Sequence, residues 1–250
     1  MKVLDILNFL NQKYNFSSAM PYDNVGLLVG NKGEEVTGIV TCLDCTFEAV
    51  NAAVENGANL IVSHHPVIFD PLKSVTEDSL VYNILKSHIS VISAHTNLDQ
   101  AKGGVNDTLC EKIGLINVKE VADAEGFLYR IGELENPISS ADFAAAVSKS
   151  LNYPVKYVGK NEALKTVAVC SGSGSSLLPE VLEQGVDAFV SADIKHSVFI
   201  AAHKANITVL DAGHFGTEDV IVSVLAEELK KEFKHLKVIE NHYSPIKFTK

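Results

Sequence analysis

Histidine and carboxylate side chains follow three separate apolar runs of the sequence at short distances. Imidazole nitrogen and carboxylate oxygen together form a ligand set that zinc, iron and manganese accept, and a carboxylate can bridge two ions. One histidine pair at the end of a strand would have no such meaning, but three runs with the same ending indicate a metal centre. The residues are His64 and His65 after residues 59–63, His95 and Asp99 after residues 90–94, and His214 and Glu218 after residues 207–211.

The adjacent pair His64 and His65 favours two metal ions over one. Neighbouring side chains on extended backbone point to opposite sides, so a single ion would be awkward for both imidazoles. His214 and Glu218 are four residues apart, which places them on one face of a helix. Whether residues 214–218 form a helix or a loop, the Glu218 carboxylate can bridge two metal ions. We therefore predict two divalent ions, of Zn, Fe or Mn, and the metal ligands His64, His65, Asp99, His214 and Glu218.

Three side chains could move protons at such a centre. His95 lies four residues before Asp99, a spacing that allows it to be a metal ligand or a hydrogen-bonding partner of one. His196 and Asp193 follow the apolar run 187–191. We predict His95, His196 and Asp193 as candidate catalytic acids and bases. The remaining histidines, which we expect to be structural or solvated, are His88, His203, His235 and His242.

A Gly-rich segment, residues 171–176, follows another apolar run. The backbone amides of such a loop can bind phosphate or another anion, although the lysine of a Walker loop is missing. The alternative is a plain turn from a strand to a helix with Ser176 as the helix cap. The predicted anion-binding residues are Ser171, Gly172, Ser173 and Gly174.

Short runs rich in Val and Ile alternate with segments of helical period. This rhythm predicts βα units and a largely parallel sheet covered on both faces, in which ligands collect at the carboxyl ends of strands. Predicted strands cover residues 38–43, 59–63, 90–94, 166–170, 187–191 and 207–211. Predicted helices cover residues 3–14, 46–56, 77–88, 104–113, 176–184, 195–205 and 217–234.

The rhythm weakens between residues 115 and 165, which predicts a boundary between two units there. Residues 127–134 and 155–158 are candidates for further strands. The last helix is predicted to begin at Thr217, since a threonine followed by Glu218 and Asp219 is typical of a helix N-terminus.

Composition narrows the class of function. The chain has 250 residues, of which 46% are hydrophobic, and a formal net charge of -10. Such a charge disfavours nucleic-acid binding, so we expect a small-molecule substrate. The first ten residues are not a secretory signal and no apolar run reaches the length of a membrane helix, so we expect a cytoplasmic protein with no membrane partner. The pair Cys42 and Cys45 is then expected to be reduced thiols.

The ordered set of motifs resembles the NIF-three-like family, whose bacterial members are often called GTP cyclohydrolase I type 2 homologues. His-His-Pro and Gly-His-x-x-Thr-Glu are the more specific elements. Three positions depart from the family pattern, because Tyr22 replaces a usual Trp, Ala192 a usual Gly and Ser197 a frequent His. The last two weaken any catalytic role for the loop around them. The matching segments are 22–27, 43–46, 61–69, 94–99, 103–107 and 213–218.

The resemblance implies two intertwined three-layer α/β/α units with largely parallel sheets and a metal site in the cleft between them. It implies residues 1–98 plus 215–250 as the first unit and residues 99–214 as the second, within a homohexamer. The length resembles the short form of the family, without an inserted middle domain. It also implies that His65 and Asp99 bind one ion, that His64 and His214 bind the other, and that Glu218 is shared.

Three functions fit these residues. The first is a dinuclear metal-dependent hydrolase similar to GTP cyclohydrolase I type 2, acting on GTP or a related small molecule. The second keeps the ions and hydrolyses phosphate esters. The third is a metal-binding regulatory or scaffold protein without turnover, in which the ions fix an interface.

Overall fold

Two β-sheets, one in each of two α/β units, organise the chain in a computed structural model that describes residues 1–160 and 163–249. Unit 1 consists of Met1–Leu98 and Ile221–Lys250, and unit 2 consists of Asp99–Val220. The chain therefore passes from one unit to the other twice.

Unit 1 has a five-stranded sheet with the order β1-β4-β3-β2-β11. Strands β2, β3, β4 and β11 are parallel, and β1 is antiparallel to β4. The carboxyl ends of four strands and the amino end of β1 consequently share one edge. The elements are α1 (Val3–Tyr14), β1 (Gly26–Val29), β2 (Gly38–Cys42), α2 (Phe47–Glu55), β3 (Leu60–Ser63), α3 (Leu80–Lys86), β4 (Ser90–Ser93), α10 (Val220–Glu232) and β11 (Lys237–Asn241).

Helices cover this sheet because alternate strand residues point to opposite faces. Val40 and Ile61 pack with the apolar residues of α2 and α3. Their neighbours on the opposite face, such as Leu60, are also fully buried. Phe9 of α1 packs edge to face against Phe233, the residue directly after α10, and the ring centroids are 5.4 Å apart.

Unit 2 has a six-stranded sheet with the order β5-β6-β8-β9-β10-β7. Its elements are α5 (Val105–Lys112), β5 (Leu115–Ala122), β6 (Leu128–Ile138), α6 (Ser140–Leu151), β7 (Lys156–Val158), β8 (Leu164–Val169), α7 (Leu178–Glu183), β9 (Ala188–Ser191), α8 (His196–Ala205), β10 (Thr208–Asp211) and α9 (His214–Glu218). The short helix α4 (Thr96–Gln100) leads into this unit.

The prediction of largely parallel sheets is correct for unit 1 and wrong for unit 2. Strands β8, β9 and β10 are parallel, but β5, β6 and β7 pair antiparallel with their neighbours. The cause is the hairpin of β5 and β6, which replaces a βα unit. The three layers of unit 2 are nevertheless clear: Val190 packs with α5 and α6 on one face, and Phe189 with α7 and α8 on the other.

Most predicted elements are present within a few residues of their expected bounds. All six predicted strands are confirmed, as β2, β3, β4, β8, β9 and β10. The candidate strands at residues 127–134 and 155–158 correspond to β6 and β7. The predicted boundary between residues 115 and 165 is wrong, because this segment lies within Asp99–Val220.

The predicted start of the last helix at Thr217 is also wrong. Helix α9 begins at His214, after Gly213 at φ +74°, and a separate helix α10 follows. The Thr217 hydroxyl lies 3.1 Å from the Gly213 carbonyl oxygen and accepts a hydrogen bond from the Gly172 amide at 3.1 Å. The short helix places His214 and Glu218 on one face.

A buried arginine fixes the chain directly after Asp99. Arg130 in β6 is fully buried and donates to the carbonyl oxygens of Gln100 at 2.9 Å and Ala101 at 3.2 Å. Its guanidinium also forms an ion pair with Asp107. One side chain thus connects β6, the second strand of the hairpin, to the segment that enters unit 2.

Replacing Arg130 with methionine should lower the free energy of unfolding by about 3 kcal/mol, because it leaves two carbonyl groups and Asp107 without their cationic partner. Urea denaturation of the metal-free protein measures this change. The control Lys119→Met, at an exposed position of β5, should change stability by less than about 0.5 kcal/mol. Equal midpoints for the two variants would contradict the role given to Arg130.

Two further expectations from the sequence concern the state of the cysteines and helices that could span a membrane. The side chains of Cys42, Cys45, Cys110 and Cys170 are buried thiols. Among the residues that the structure describes, no helix has both the length and the apolar composition needed to cross a bilayer.

Candidate metal centre

Three histidines of unit 1 meet at the carboxyl edge of its sheet. His64 and His65 follow β3, and His95 follows the parallel neighbour β4. The ring centroids are 5.1 Å apart for His64 and His65, 5.2 Å for His64 and His95, and 5.6 Å for His65 and His95. One nitrogen of each ring lies within 4.8 Å of those of the other two, so these imidazoles could hold a metal ion.

Each of these imidazoles is oriented through its Nδ1 atom. In each pair the oxygen can only accept, so Nδ1 carries the proton, and Nε2 is the nitrogen with which each neutral ring can ligate an ion. Such hydrogen bonds to carbonyl and carboxylate oxygens are typical of metal-binding histidines. The partners are the Ala94 carbonyl for His64 at 2.9 Å, Asp44 for His65 at 2.7 Å and Asp23 for His95 at 2.9 Å.

The contacts of Asp23 shift the pKa of its carboxyl group. Burial raises its pKa, but the hydrogen bonds from His95 and Thr96 outweigh this and lower the pKa to about 2. The amide of Thr96 donates to Asp23 at 2.9 Å. Asp23 is therefore ionised at neutral pH and holds the His95 ring in place.

Unit 2 brings a histidine and carboxylates together on and around α9. His214 Nε2 lies 2.9 Å from the Glu218 carboxylate, and its Nδ1 lies 2.7 Å from Asp193. Glu218 is only 3% exposed. A buried carboxylate is costly unless a cation or hydrogen bonds compensate it, which makes Glu218 a suitable metal ligand.

Asp99 belongs to the same part of unit 2. It is 6% exposed and accepts a hydrogen bond from the Ser171 hydroxyl at 3.1 Å. Burial, followed by the charges of Asp99 and Glu218, raises the pKa of Cys170. Both carboxylates therefore lie near one thiol, and this thiol is protonated at neutral pH.

The Gly-rich loop positions these carboxylates. Its amides donate within unit 2: Ser171 to Asn106 at 2.7 Å, Gly172 to Thr217 at 3.1 Å and Gly174 to Ser191 at 3.0 Å. An anion would have to compete with these bonds, and binding of an anion by Ser171, Gly172, Ser173 and Gly174 stays a prediction. Ser176 is not the cap of the next helix, because it lies inside a 3-10 turn, Ser175–Leu177, that precedes α7.

Only glycine fits at position 172. Gly172 has φ +58°, and a Cβ atom there would lie 2.1 Å from Glu218 Oε1 and 3.4 Å from His214 Nε2. The backbone therefore approaches the carboxylate more closely than any side chain would allow.

Gly172→Ala should separate metal binding from stability. The matched control is Gly185→Ala, since Gly185 has φ +66° and a Cβ atom there would meet nothing within 4 Å. Both variants should lose about 1–2 kcal/mol of unfolding free energy through the left-handed backbone. Only Gly172→Ala should also weaken metal binding, by about 10- to 100-fold, because it displaces Glu218. Titration of the metal-free proteins with Mn²⁺ measures the difference, and equal affinities would contradict it.

The predicted site residues fall into two groups. Unit 1 brings His64, His65 and His95 together, and unit 2 brings Asp99, Asp193, His214 and Glu218 together with the Gly-rich loop. Asp193 contacts His214, so its geometry favours an orienting role. His196 is exposed at the start of α8 and belongs to none of the ligand groups found among the described residues.

Four side chains that hold the site were not predicted as site residues from the sequence. Asp44 follows β2 and could have been found by the strand-end rule, whereas Asp23 lies before the antiparallel β1. Thr217 gave a misleading helix-cap signal. The ring of Tyr153 occupies the space that Cβ atoms of Gly213 and Gly216 would need, and so packs closely against α9.

Fold and site define a mixed α/β protein with two sheets and with histidine and carboxylate groups that could hold a metal ion. A sequence profile of the Duf34/NIF3 family (NGG1p interacting factor 3) matches residues 1–246, and the chain belongs to this family.

Known relatives agree with this assignment. A protein of Clostridium acetobutylicum named GTP cyclohydrolase 1 type 2 homolog is 32% identical, and the match covers 99% of each chain. A crystal structure of a Staphylococcus aureus hypothetical protein is 29% identical with a TM-score of 0.94, and covers 100% of this chain and 99% of that one. A Bacillus cereus protein related to NIF3 shares the fold, with a TM-score of 0.91 at 22% identity over 100% of this chain and 99% of its own.

Proposed function

We propose that this protein is a dinuclear, divalent-metal-dependent hydrolase. The histidines of unit 1 supply neutral nitrogen, and unit 2 supplies a histidine and the negative charge that compensates the ions. The ligands are His64, His65, Asp99, His214 and Glu218.

The observation that carries this proposal is the position of the two chain crossings. Asp99 is the first residue of unit 2, and α4 connects it to His95 in unit 1 within one helical turn. Glu218 ends α9, and the chain returns to unit 1 at Ile221. Both carboxylate ligands therefore lie close in the chain to a crossing: Asp99 is the first residue after one crossing, and Glu218 lies three residues before the other.

Two divalent ions held by these residues would supply Lewis acidity and would generate a nucleophile from water at neutral pH. Asp99 and Glu218 contribute the compensating charge. His95 donates its Nδ1 proton to ionised Asp23, so its Nε2 atom can accept a proton from water and return it to a leaving group. Asp193 orients the imidazole of His214 through a hydrogen bond to its Nδ1 atom, as Asp23 orients His95.

GTP is the first substrate to test, because the name of the curated relatives points to it. Metal-free protein reloaded with Mn²⁺, Zn²⁺ or Fe²⁺ should convert GTP to a dihydropterin triphosphate, which fluorescence detects. Phosphate esters assayed in parallel identify a phosphoesterase instead. Binding of metal with no turnover of GTP or phosphate esters would contradict the hydrolase and support a regulatory or scaffold protein.

We also propose that the chain assembles into a homohexamer. Light scattering on the purified protein should give six times the mass of the 27.0 kDa chain. A monomer at micromolar concentration would contradict this.

A further inference from the structure

Phe69 lies beside the histidine cluster of unit 1 with nearly half of its surface exposed. It is 47% exposed, and its ring centroid is 6.2 Å from that of His95 at an interplanar angle of 86°. An exposed phenyl ring contributes little to folding, since its burial is incomplete. Its position beside His95, a candidate proton-transfer group, favours a role in ligand binding.

One short segment fixes both Phe69 and His95. Asn24 donates through its side-chain amide to the Ile68 carbonyl oxygen at 2.6 Å, directly before Phe69. The preceding residue, Asp23, accepts the hydrogen bond from His95 at 2.9 Å. Two adjacent residues, Asp23 and Asn24, therefore fix the His95 imidazole and the backbone directly before Phe69. Such preorganisation lowers the entropic cost of binding a ligand.

Further large apolar side chains close in sequence to Phe69 or Asp23 are exposed. Tyr22, next to Asp23, is 62% exposed, and Leu72 and Val75 in the same loop as Phe69 are 49% and 45% exposed. Aromatic faces bind nucleobases by stacking with little dependence on charge.

We infer that Phe69 binds the planar heteroaromatic ring of the substrate by stacking and holds it beside His95. The inference rests on the proposed function, in which His95 transfers protons at this site. It narrows the substrate class to molecules with a purine-like or similar ring, and it assigns the recognition of that ring to unit 1.

The chain contains no tryptophan, so Phe69→Trp introduces a single fluorophore at the proposed site. The matched control is Leu85→Trp, because Leu85 is 50% exposed and lies at the end of α3, near the amino edge of the sheet. GTP and guanosine should quench Phe69→Trp saturably, whereas inorganic tripolyphosphate, which has no ring, should not. Leu85→Trp should respond to none of the three beyond the absorbance correction.

A second variant measures the energetic contribution. Phe69→Ala should weaken GTP binding by about 5- to 100-fold with unchanged metal content, the range expected for loss of one stacked base. Quenching without turnover would support the ring site and contradict the hydrolase. Turnover of GTP with unchanged KM and Kd in Phe69→Ala would leave the hydrolase intact and overturn the ring site. Equal quenching by tripolyphosphate would also overturn it.

Discussion

Glu218→Gln is expected to weaken divalent-metal binding by more than about 100-fold, beyond the range seen for residues that only orient ligands. The carboxylate is 3% exposed and its Oε2 atom lies 2.9 Å from the imidazole of His214. Without an ion, the protein bears the cost of desolvating this negative charge. Glutamine has the same shape and no charge, so it removes that cost together with the attraction for the ion.

The same variant should leave the metal-free protein within about 1 kcal/mol of the wild type in stability, the scale of one hydrogen bond. Metal content by mass spectrometry and urea denaturation after chelation give the two quantities. Glu183→Gln, at an exposed position of α7, should change neither. If metal-free Glu218→Gln were destabilised by several kcal/mol, Glu218 would be a structural partner of His214 and the metal proposal would lose its main carboxylate.

The histidine cluster could be found from the sequence because a simple rule connects strand order to position. His64, His65 and His95 follow apolar runs, and the runs form neighbouring parallel strands whose carboxyl ends share an edge. The rule needs only the existence of the strands, which their Val-rich and Ile-rich composition predicts. It does not need the register or the helices.

This rule could not predict the antiparallel strands of unit 2. Strand β5 is exposed along most of its residues, so it lacks the continuous apolar run that indicates a buried parallel strand. Its hairpin partner β6 was predicted only as a candidate. The alternation of strands and helices therefore predicted the parallel strands β8, β9 and β10 correctly. It wrongly predicted a parallel arrangement for the rest of the sheet.

Residues that orient the site act through contacts between segments that are remote in the chain. Asp23 and His95 are 72 residues apart, and Gly172 must accommodate Glu218, which no local pattern predicts. The Gly-rich loop illustrates the difficulty. Its composition is typical of an anion site, yet its amides bind Asn106, Thr217 and Ser191.

Metal counts in single histidine variants should decide how many ions the site holds. His65→Asn and His214→Asn should each reduce the bound ions from two to one, because the family resemblance implies that these histidines bind different ions. His95→Asn should keep both ions and lower kcat by about 100-fold or more, as expected for loss of a general acid or base. His88→Asn and His203→Asn, at exposed positions, are the controls in the two units.

The competing arrangement is a single ion held by His64, His65 and His95, whose ligand atoms lie within 4.8 Å of one another. His95→Asn would then remove the ion, and His214→Asn would leave it in place. The burial of Asp99 and Glu218, which are 6% and 3% exposed, argues against this arrangement, because buried carboxylates favour a bound cation and neither would be a ligand of that ion. Divalent ions held by Asp99 and Glu218 would offset the cost of burying these carboxylates, so the pattern of metal loss should follow His214 and not His95.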